Sequence, residues 1–547
     1  MTTTFKLRGK QGWLAGIGLA GVAIGSLFLA SCRPDLNQRG SRISLGTTAK
    51  IRTLDPADAY EMLSGTVLYN LGDRLYTNWP GQTAIAPQLA TALPQISPDG
   101  LTYRIPLRQG VVFHDGAPFN AAAMAFSLNR FKDSGGQPAF LLKDRVASIT
   151  ATAPYELTIR LKQPFAPFTA LLTFPGLVAV SPKAYAPKAG GDRFFPDRFI
   201  GTGPYQLAGR TADTLRLTPF ARYWGRKPAN SGIDIQIFSS PAILFNAIKT
   251  GMVDVAYQSL DTDQIRALQQ ATERRRLHMA TSDGTGIYYL SVNVRSAPLD
   301  RLAVRQALAY LVDRQLINQR VFANQRLPLY SLLPTELPSF VPAFYQRYGH
   351  GNPQRARHLL TTEGYSAQRP LKLQLWYRSN LETNALAAST LRAHIHQQMG
   401  PLVQLELRGI DSTTAYQNLD KGAYPLFMLD WTPDFLDADN YLQPFLACTK
   451  GSLAQGCEVG ASQYQGSFFY SPQANRLLAL QGAESNPQRR SIYLRKLQQL
   501  TAQEVPFLPL WQSREYVFSG ADISGLNLQP TNQVAFAPLR RTSRVAR

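Results

Sequence analysis

The stretch "FMLDWTPDFLDADNYLQPF", residues 427–445, sets Asp430, Asp434, Asp437 and Asp439 among tryptophan, phenylalanines, tyrosine and leucines. The rest of the 547-residue chain is basic, with 57 Lys and Arg against 36 Asp and Glu and a formal net charge of +21. Acids gathered in apolar sequence either receive a bound cation or cap turns and pair with nearby arginines. A carboxylate about 4 Å from an ammonium contributes about 4 kcal/mol at an effective dielectric near 20, before desolvation is subtracted. "PLFMLDW" has the composition of a buried strand and Pro433 stops it, so the acids fall across the strand's end and the loop beyond, where α/β bodies form clefts. For Asp437 and Asp439 the turn-cap or arginine-pair reading is preferred. For Asp434 the pattern leaves both readings open.

Other sequences that could do chemistry carry less. "GTGPY", residues 201–205, has close glycines but neither the Lys-Ser/Thr ending of a phosphate loop nor the dinucleotide spacing. No G-x-S-x-G or HExxH is present. His394 and His396 are two apart, so on a helix they point in different directions and do not readily grip one metal. His114 beside Asp115 precedes Gly116, the composition of a turn. No catalytic residue, cofactor or metal ligand is assigned, and the expectation is a protein that is not an enzyme.

The elements that must position these residues alternate. "ISLGT" begins like a strand, a Pro-containing turn follows, and a Leu/Val/Tyr-rich helix leads to Tyr76. "LTYRIPLRQGVVF" reads as a surface strand, Asn120 as the cap of a helix carrying Met124, Phe126, Leu128 and Phe131, and "ITATAPYELTIRL" as two strands about a turn. "TLRLTPF" and "GIDIQIF" are strands, and the helix that begins with "PAILF" stops at Gly251. Beyond residue 299, "LDRLAVRQALAYLVDRQLI" presents one apolar helical face, and "NPQRARHLLTTEGY" has Asn352 as cap, Pro353 at the first turn and Gly364 near the stop. "LKLQLWY" and "VQLELRGI" are strands around a helix, and the apolar run "PFLPLW" comes near the end. The pattern is that of a mixed α/β body, and the length implies two or three domains.

The first 31 residues stand apart: Lys6, Arg8 and Lys10 precede an uncharged run from Trp13 to Ser31, as in a secretory signal. A simple membrane anchor is the alternative. "LASC", Leu29 to Cys32, resembles the lipobox of bacterial lipoproteins, which implies cleavage before Cys32, lipid on its side chain and an extracytoplasmic, periplasmic protein tethered to a membrane. Cys448 and Cys457 then remain, nine apart in a polar loop; in an oxidising compartment this spacing predicts a disulfide, with two unpaired core cysteines as the alternative. The positive charge raises nucleic acid as a partner, but the arginines are scattered, no zinc-finger or basic-aromatic repeat occurs, and the export signal leads away from nucleic acid.

Several separated segments together carry a family resemblance. "TLDPADAY", "LTYRIPLRQGVVFHDGAPFNAAAMAFSLNR", "GTGPYQL" with "ARYWGRKPANSGIDIQIF", "YYLSVNVRSAPLDRLAVRQALAYLVDR" and "LDWTPDFLDADNYLQPF" resemble, in order, blocks of the extracellular solute-binding proteins of the peptide/nickel ABC transporter class (bacterial family 5), the dipeptide- and oligopeptide-binding proteins among them. The resemblance spans residues 43 to 540. It implies a two-lobe periplasmic-binding-protein fold with an extra third domain: signal 1–31, tether 32–42, first lobe 43–82, 201–290 and 508–541, extra domain 83–200, second lobe 291–507 and tail 542–547. It implies a monomeric receptor that passes a peptide, or another small cationic solute, to the permease subunits of an ABC importer. Asp434 matches the aspartate that accepts a peptide's amino terminus in relatives, while Phe435 replaces the usual tyrosine and Ala438 the usual proline. Tyr288, Tyr289, Asn293 and Trp431 are implied as lining residues, and Tyr60 and Glu61 as part of the first loop near the ligand. A same-fold receptor for a nickel chelate, an opine-like compound or another cationic metabolite is the alternative.

Overall fold

Two long strands, Leu277–Val292 and Phe507–Gly520, organise the molecule in a computed structural model that describes residues 41–78, 82–186, 192–258 and 260–542. The signal, Cys32, most of the tether and the tail beyond 542 lie outside the described residues. The long strands run antiparallel from the Leu277 and Gly520 pair to the Ser291 and Phe507 pair. Beyond the Gly520 half of this ribbon the sheet continues through Val255–Tyr257, Ile43–Thr47, Ile233–Ile237, Thr214–Pro219 and Tyr205–Arg210. On the other side it continues through Leu426–Trp431, Leu371–Arg378 and Val403–Ile410.

Each flank contains a small parallel set. Ile43–Thr47 is parallel to both its neighbours, and so is Leu371–Arg378. The inward positions of these strands are apolar, while Lys372, Gln404 and Glu406 alternate with them and stay exposed at the outer flank. Ile43, Leu45, Ile233, Ile235 and Val255 are fully buried in one core, and Leu371, Leu375, Val304, Ala387 and Leu391 in another.

A separate four-stranded antiparallel sheet comprises Gln95–Ile96, Thr102–Pro106, Glu156–Leu161 and Val146–Ala153 in that order. The helix Ala121–Asp133 packs on it, placing Met124, Leu128 and Phe131 in an aromatic-rich core with Phe113, Phe119 and Phe168. Asn120 caps that helix, its side chain accepting from the Ala123 N–H at 2.9 Å. Asn352 does the same for the Arg355 N–H at 3.0 Å, and Gly251 ends its helix in the left-handed region at φ 73°.

Two segments differ from their apolar patterns. "LDRLAVRQALAYLVDRQLI" forms two helices, Leu302–Leu311 and Arg314–Phe322. Val312 is extended between them because Asp313 caps the second helix, accepting from the Leu316 N–H at 2.9 Å. "PFLPLW" opens the long strand despite its prolines. The buried Arg314 guanidinium donates to the Pro509 carbonyl at 2.7 Å, so one segment's break serves the other's backbone. Cys448 and Cys457 form a disulfide.

Candidate functional site

The strand Leu426–Trp431 ends at the loop Thr432-Pro433-Asp434, and the helix Asp439–Leu446 follows. Asn440 pins the loop from below: its side-chain oxygen accepts from the Asp434 N–H at 2.9 Å, and its carbonyl accepts from the Trp431 indole at 2.8 Å. Held this way, the Asp434 carboxylate accepts a 2.6 Å hydrogen bond from the Tyr60 hydroxyl, 374 positions away in sequence. The Tyr60 ring leans edge-on against Phe140. Burial raises the Asp434 carboxyl above the ordinary aspartate range, and the hydrogen bonds with Tyr60 and Asn440 oppose that rise.

The other three acids of the stretch are engaged with protein groups. Asp430 pairs with Arg378. Asp437 takes a two-pronged hydrogen bond from Arg490 at 2.7 and 2.6 Å. Asp439 is buried against Gln481, and burial followed by the charge of Asp437 pushes its carboxyl up to about 6. Between them, Phe435 enters the core of the four-stranded sheet, edge-on to Phe165.

Asp434 and Tyr60 wall a cavity of about 230 Å³ that is also lined by Glu61, Phe174 and Thr531. An adjoining cavity of about 350 Å³ shares Met62, Thr432 and Asn532 as walls and extends past Tyr288 to Asp430, Arg326 and Arg514. Tyr288 stacks on Trp511 with ring centres 5.0 Å apart. A larger cavity of about 1200 Å³ lies at the outer strands, lined by Lys372, Arg392 and Glu406. Buried polar atoms lacking a partner among the described residues line the 350 Å³ chamber, at Ser513 and Asn532, and none lines the larger cavity. A buried polar group without a partner costs about 1–3 kcal/mol, which a bound solute would recover, so the paired chambers are the candidate site.

Of the residues proposed from sequence, Tyr60, Glu61, Asp434 and Tyr288 share these chambers. Glu61 is tied to Arg52 at 2.7 Å. Tyr289, Asn293 and Trp431 are placed elsewhere. Tyr289 is buried between Phe445 and Phe507, its hydroxyl donating to Gln465 at 2.8 Å. Asn293 bonds the Gly422 carbonyl and the Arg295 N–H in a turn. Trp431 supports the loop as described. Arg326, Ser513 and Asn532 escaped the sequence reading because each stands alone in its segment. His114 is structural here: its ring accepts from the Gly201 N–H at 3.3 Å and donates to the Gly203 carbonyl at 3.1 Å, and burial lowers its pKa to about 4.

The profile of "Bacterial extracellular solute-binding proteins, family 5 Middle" matches residues 84–452. The chain belongs to that family. It is 27% identical over 534 residues to the glutathione-binding protein GsiB of Salmonella typhimurium, covering 96% of this chain and 97% of that one. The fold is shared with a dipeptide-binding protein of Pseudoalteromonas sp. SM9913 in complex with Met-Leu, at TM-score 0.73 and 22% identity over 91% of this chain and 100% of the other. It is also shared with NikZ of Campylobacter jejuni in complex with Ni(L-His), at TM-score 0.71 and 19% identity over 90% and 97%. This family 5 member is therefore an extracellular solute-binding protein with the α/β periplasmic-binding-protein fold.

Proposed function

We propose that this protein captures short peptide-like solutes outside the cytoplasm through their free amino terminus, and delivers them to the permease subunits of an ABC importer. The observation that carries the reading is the Asp434 carboxylate, which faces the smaller chamber with no cation paired to it among the described residues and only neutral partners, Tyr60 and Asn440, upon it. An incoming ammonium would find there a charge partner and the phenolic oxygen of Tyr60 as a second acceptor. Two lobes would close around it, the first formed by 43–82, 201–290 and 508–541 and the second by 291–507. Because Tyr60 and Asp434 would then belong to opposite lobes, one solute amine would bridge both, which is the differential contact that closure requires. Glutathione, the ligand named for the GsiB relative, is a tripeptide with a free amine and is the first compound to test.

The test is calorimetric titration of the chain lacking residues 1–31 with trialanine, glutathione and N-acetyl-trialanine. Asp434→Ala is expected to keep the fold by circular dichroism and to weaken binding of the two free-amine compounds by roughly 2–5 kcal/mol, the usual cost of removing a buried charge partner. Equal affinity of wild type for the acetylated and free peptides would remove Asp434 from the amine site.

A further inference from the structure

The two outer strands of the central sheet end it differently. Tyr205–Arg210, on one side, breaks its register between Leu207 and Gly209, the kind of irregularity that keeps an outer strand from pairing with another chain. Val403–Ile410, on the other, pairs with Leu371–Arg378 residue by residue along its whole length without a shift, and contains neither proline nor lysine. No strand lies on its outer side among the described residues. The cavity of about 1200 Å³ borders the start of this strand at Val403, Leu405 and Glu406, so the space beside it is open.

One bond fixes which way the backbone of this edge points. The Ile410 carbonyl accepts from the Ser379 N–H at 2.8 Å, so Ile410, Arg408 and Glu406 turn their N–H and C=O groups toward Leu371–Arg378. Because these groups alternate between the two edges of a strand, those of Leu405, Leu407 and Gly409 point to the free side. A regular row of unpaired N–H and C=O groups is a template for a further strand. The two faces of the edge differ. Leu407 is half-buried against the core of this flank, whereas Glu406 and Arg408 lie on the solvent face, each half exposed and paired with the other at 2.6 Å.

We propose that this edge pairs with the same edge of a second copy, antiparallel about a two-fold axis at Leu407, in place of the monomer that the family resemblance implies. A two-fold contact sets residue i opposite j and j opposite i. With the axis at Leu407, Leu405 faces Gly409 and Leu407 faces its own counterpart through their free N–H and C=O groups, and the two Leu407 side chains meet on the apolar face. On the solvent face, Glu406 of each copy falls opposite Arg408 of the other, at the closer, non-hydrogen-bonded spacing of an antiparallel pair. Moving the register by two residues either way sets Glu406 against Glu406 or Arg408 against Arg408, which is destabilising, so charge selects a single register. That self-complementarity is what identifies the occupant as a second copy of the chain. The chambers of the candidate site lie beyond Leu371–Arg378, at the end of Leu426–Trp431, so pairing at this edge is separate from what the chambers hold.

Sedimentation velocity on the chain lacking residues 1–31 tests this at concentrations up to about 0.5 mM, where a small, transient interface becomes populated. Wild type is expected to dimerise. Glu406→Arg and Arg408→Glu each set like charges opposite one another in both symmetry-related pairs, and each is expected to weaken the dimer at least about tenfold with an unchanged circular dichroism spectrum. Mixing the two variants restores both opposite-charge pairs, so their equimolar mixture is expected to form a heterodimer close to wild type in strength. A wild type that stays monomeric, a dimer indifferent to both variants, or a mixture without rescue overturns the proposal. Hydrogen exchange separates the remaining occupant: protection of the Leu405, Leu407 and Gly409 amides that appears only as the dimer forms supports the pairing, whereas protection at every concentration means that another segment of the same chain covers the edge, and overturns it.

Discussion

Four aspartates within ten residues meet four different fates, and the difference lies in what the fold brings to each. Asp437 finds Arg490, 53 positions away, Asp439 finds Gln481, and Asp430 finds Arg378. Asp434 meets only neutral groups, the Tyr60 phenol and the Asn440 side chain. The sequence made the arginine-pair reading natural for Asp437 and left Asp434 undecided, because nothing in 427–445 shows which distant side chain each acid will face. Arg326 was illegible for a related reason: one arginine in a chain rich in them gains meaning only when its neighbours' acids are known. The raised carboxyl of Asp434 has a functional consequence. Below neutrality the ligand ammonium stays charged, so the only titration that matters at that contact is the aspartate. Affinity for free-amine peptides is expected to be complete at neutral pH and to fall as pH drops through a midpoint above about 4, the ordinary aspartate value. Dissociation constants measured from pH 7 to pH 4 should show this slope in wild type and lack it in Asp434→Asn. A slope that persists in the variant assigns the titration to another group.

At the scale of elements, periodicity and caps were readable and strand partnership was not. Asn120 and Asn352 cap the helices they precede, since a cap is a local matter. "LDRLAVRQALAYLVDRQLI" showed its apolar face but concealed its break, because Asp313 competes as a cap within an otherwise continuous pattern. The long ribbon was hidden as well: its halves lie 230 residues apart, and its central irregularity between Asp283 and Ile287 has no local hydrophobic signature. That irregularity is built on glycine for a steric reason. A β-carbon on Gly284 would stand 2.0 Å from the Ser513 oxygen, so Gly284 is what lets Ser513 turn into the chamber. Gly284→Ala is expected to destabilise the protein by about 1–3 kcal/mol, the range for overpacking a tight site. Ser513→Ala in the same chain should return much of that loss. Urea denaturation of the two single variants and the double variant measures the coupling. Strict additivity of the two changes would place the strain elsewhere.

For the whole molecule, the order of the family blocks along the sequence was enough to reach the fold, because the two-flank sheet is a property of the entire chain order. How the parts grip one another was not legible, and Phe435 shows why. It stands where the family resemblance implies a tyrosine, and at sequence level that was only a departure from a motif. In the structure it is 3% exposed and joins the core of the four-stranded sheet, whereas the loop that carries it also carries Asp434. Close by, the Ala166 N–H donates to the Gly482 carbonyl at 2.7 Å, and Arg145 lies over the Phe165 ring at 3.7 Å. A hydroxyl at position 435 would be carried into this apolar seam, so phenylalanine suits it better than tyrosine. If the molecule opens between the extra domain and the second lobe, this aromatic contact exists only in the closed form, and its loss shifts the equilibrium toward the open one. Apparent affinity falls in proportion to the closed fraction, although no group that touches the solute has changed. Phe435→Ala is therefore expected to weaken peptide binding by about 10- to 100-fold, within the few kcal/mol that deleting a buried aromatic ring costs. Thermal stability of the ligand-free protein should change little, and small-angle scattering should show a smaller ligand-induced contraction than in wild type. If ligand-free stability instead falls by the full cost of a core truncation while affinity is retained, Phe435 is an ordinary core residue and closure does not draw on it.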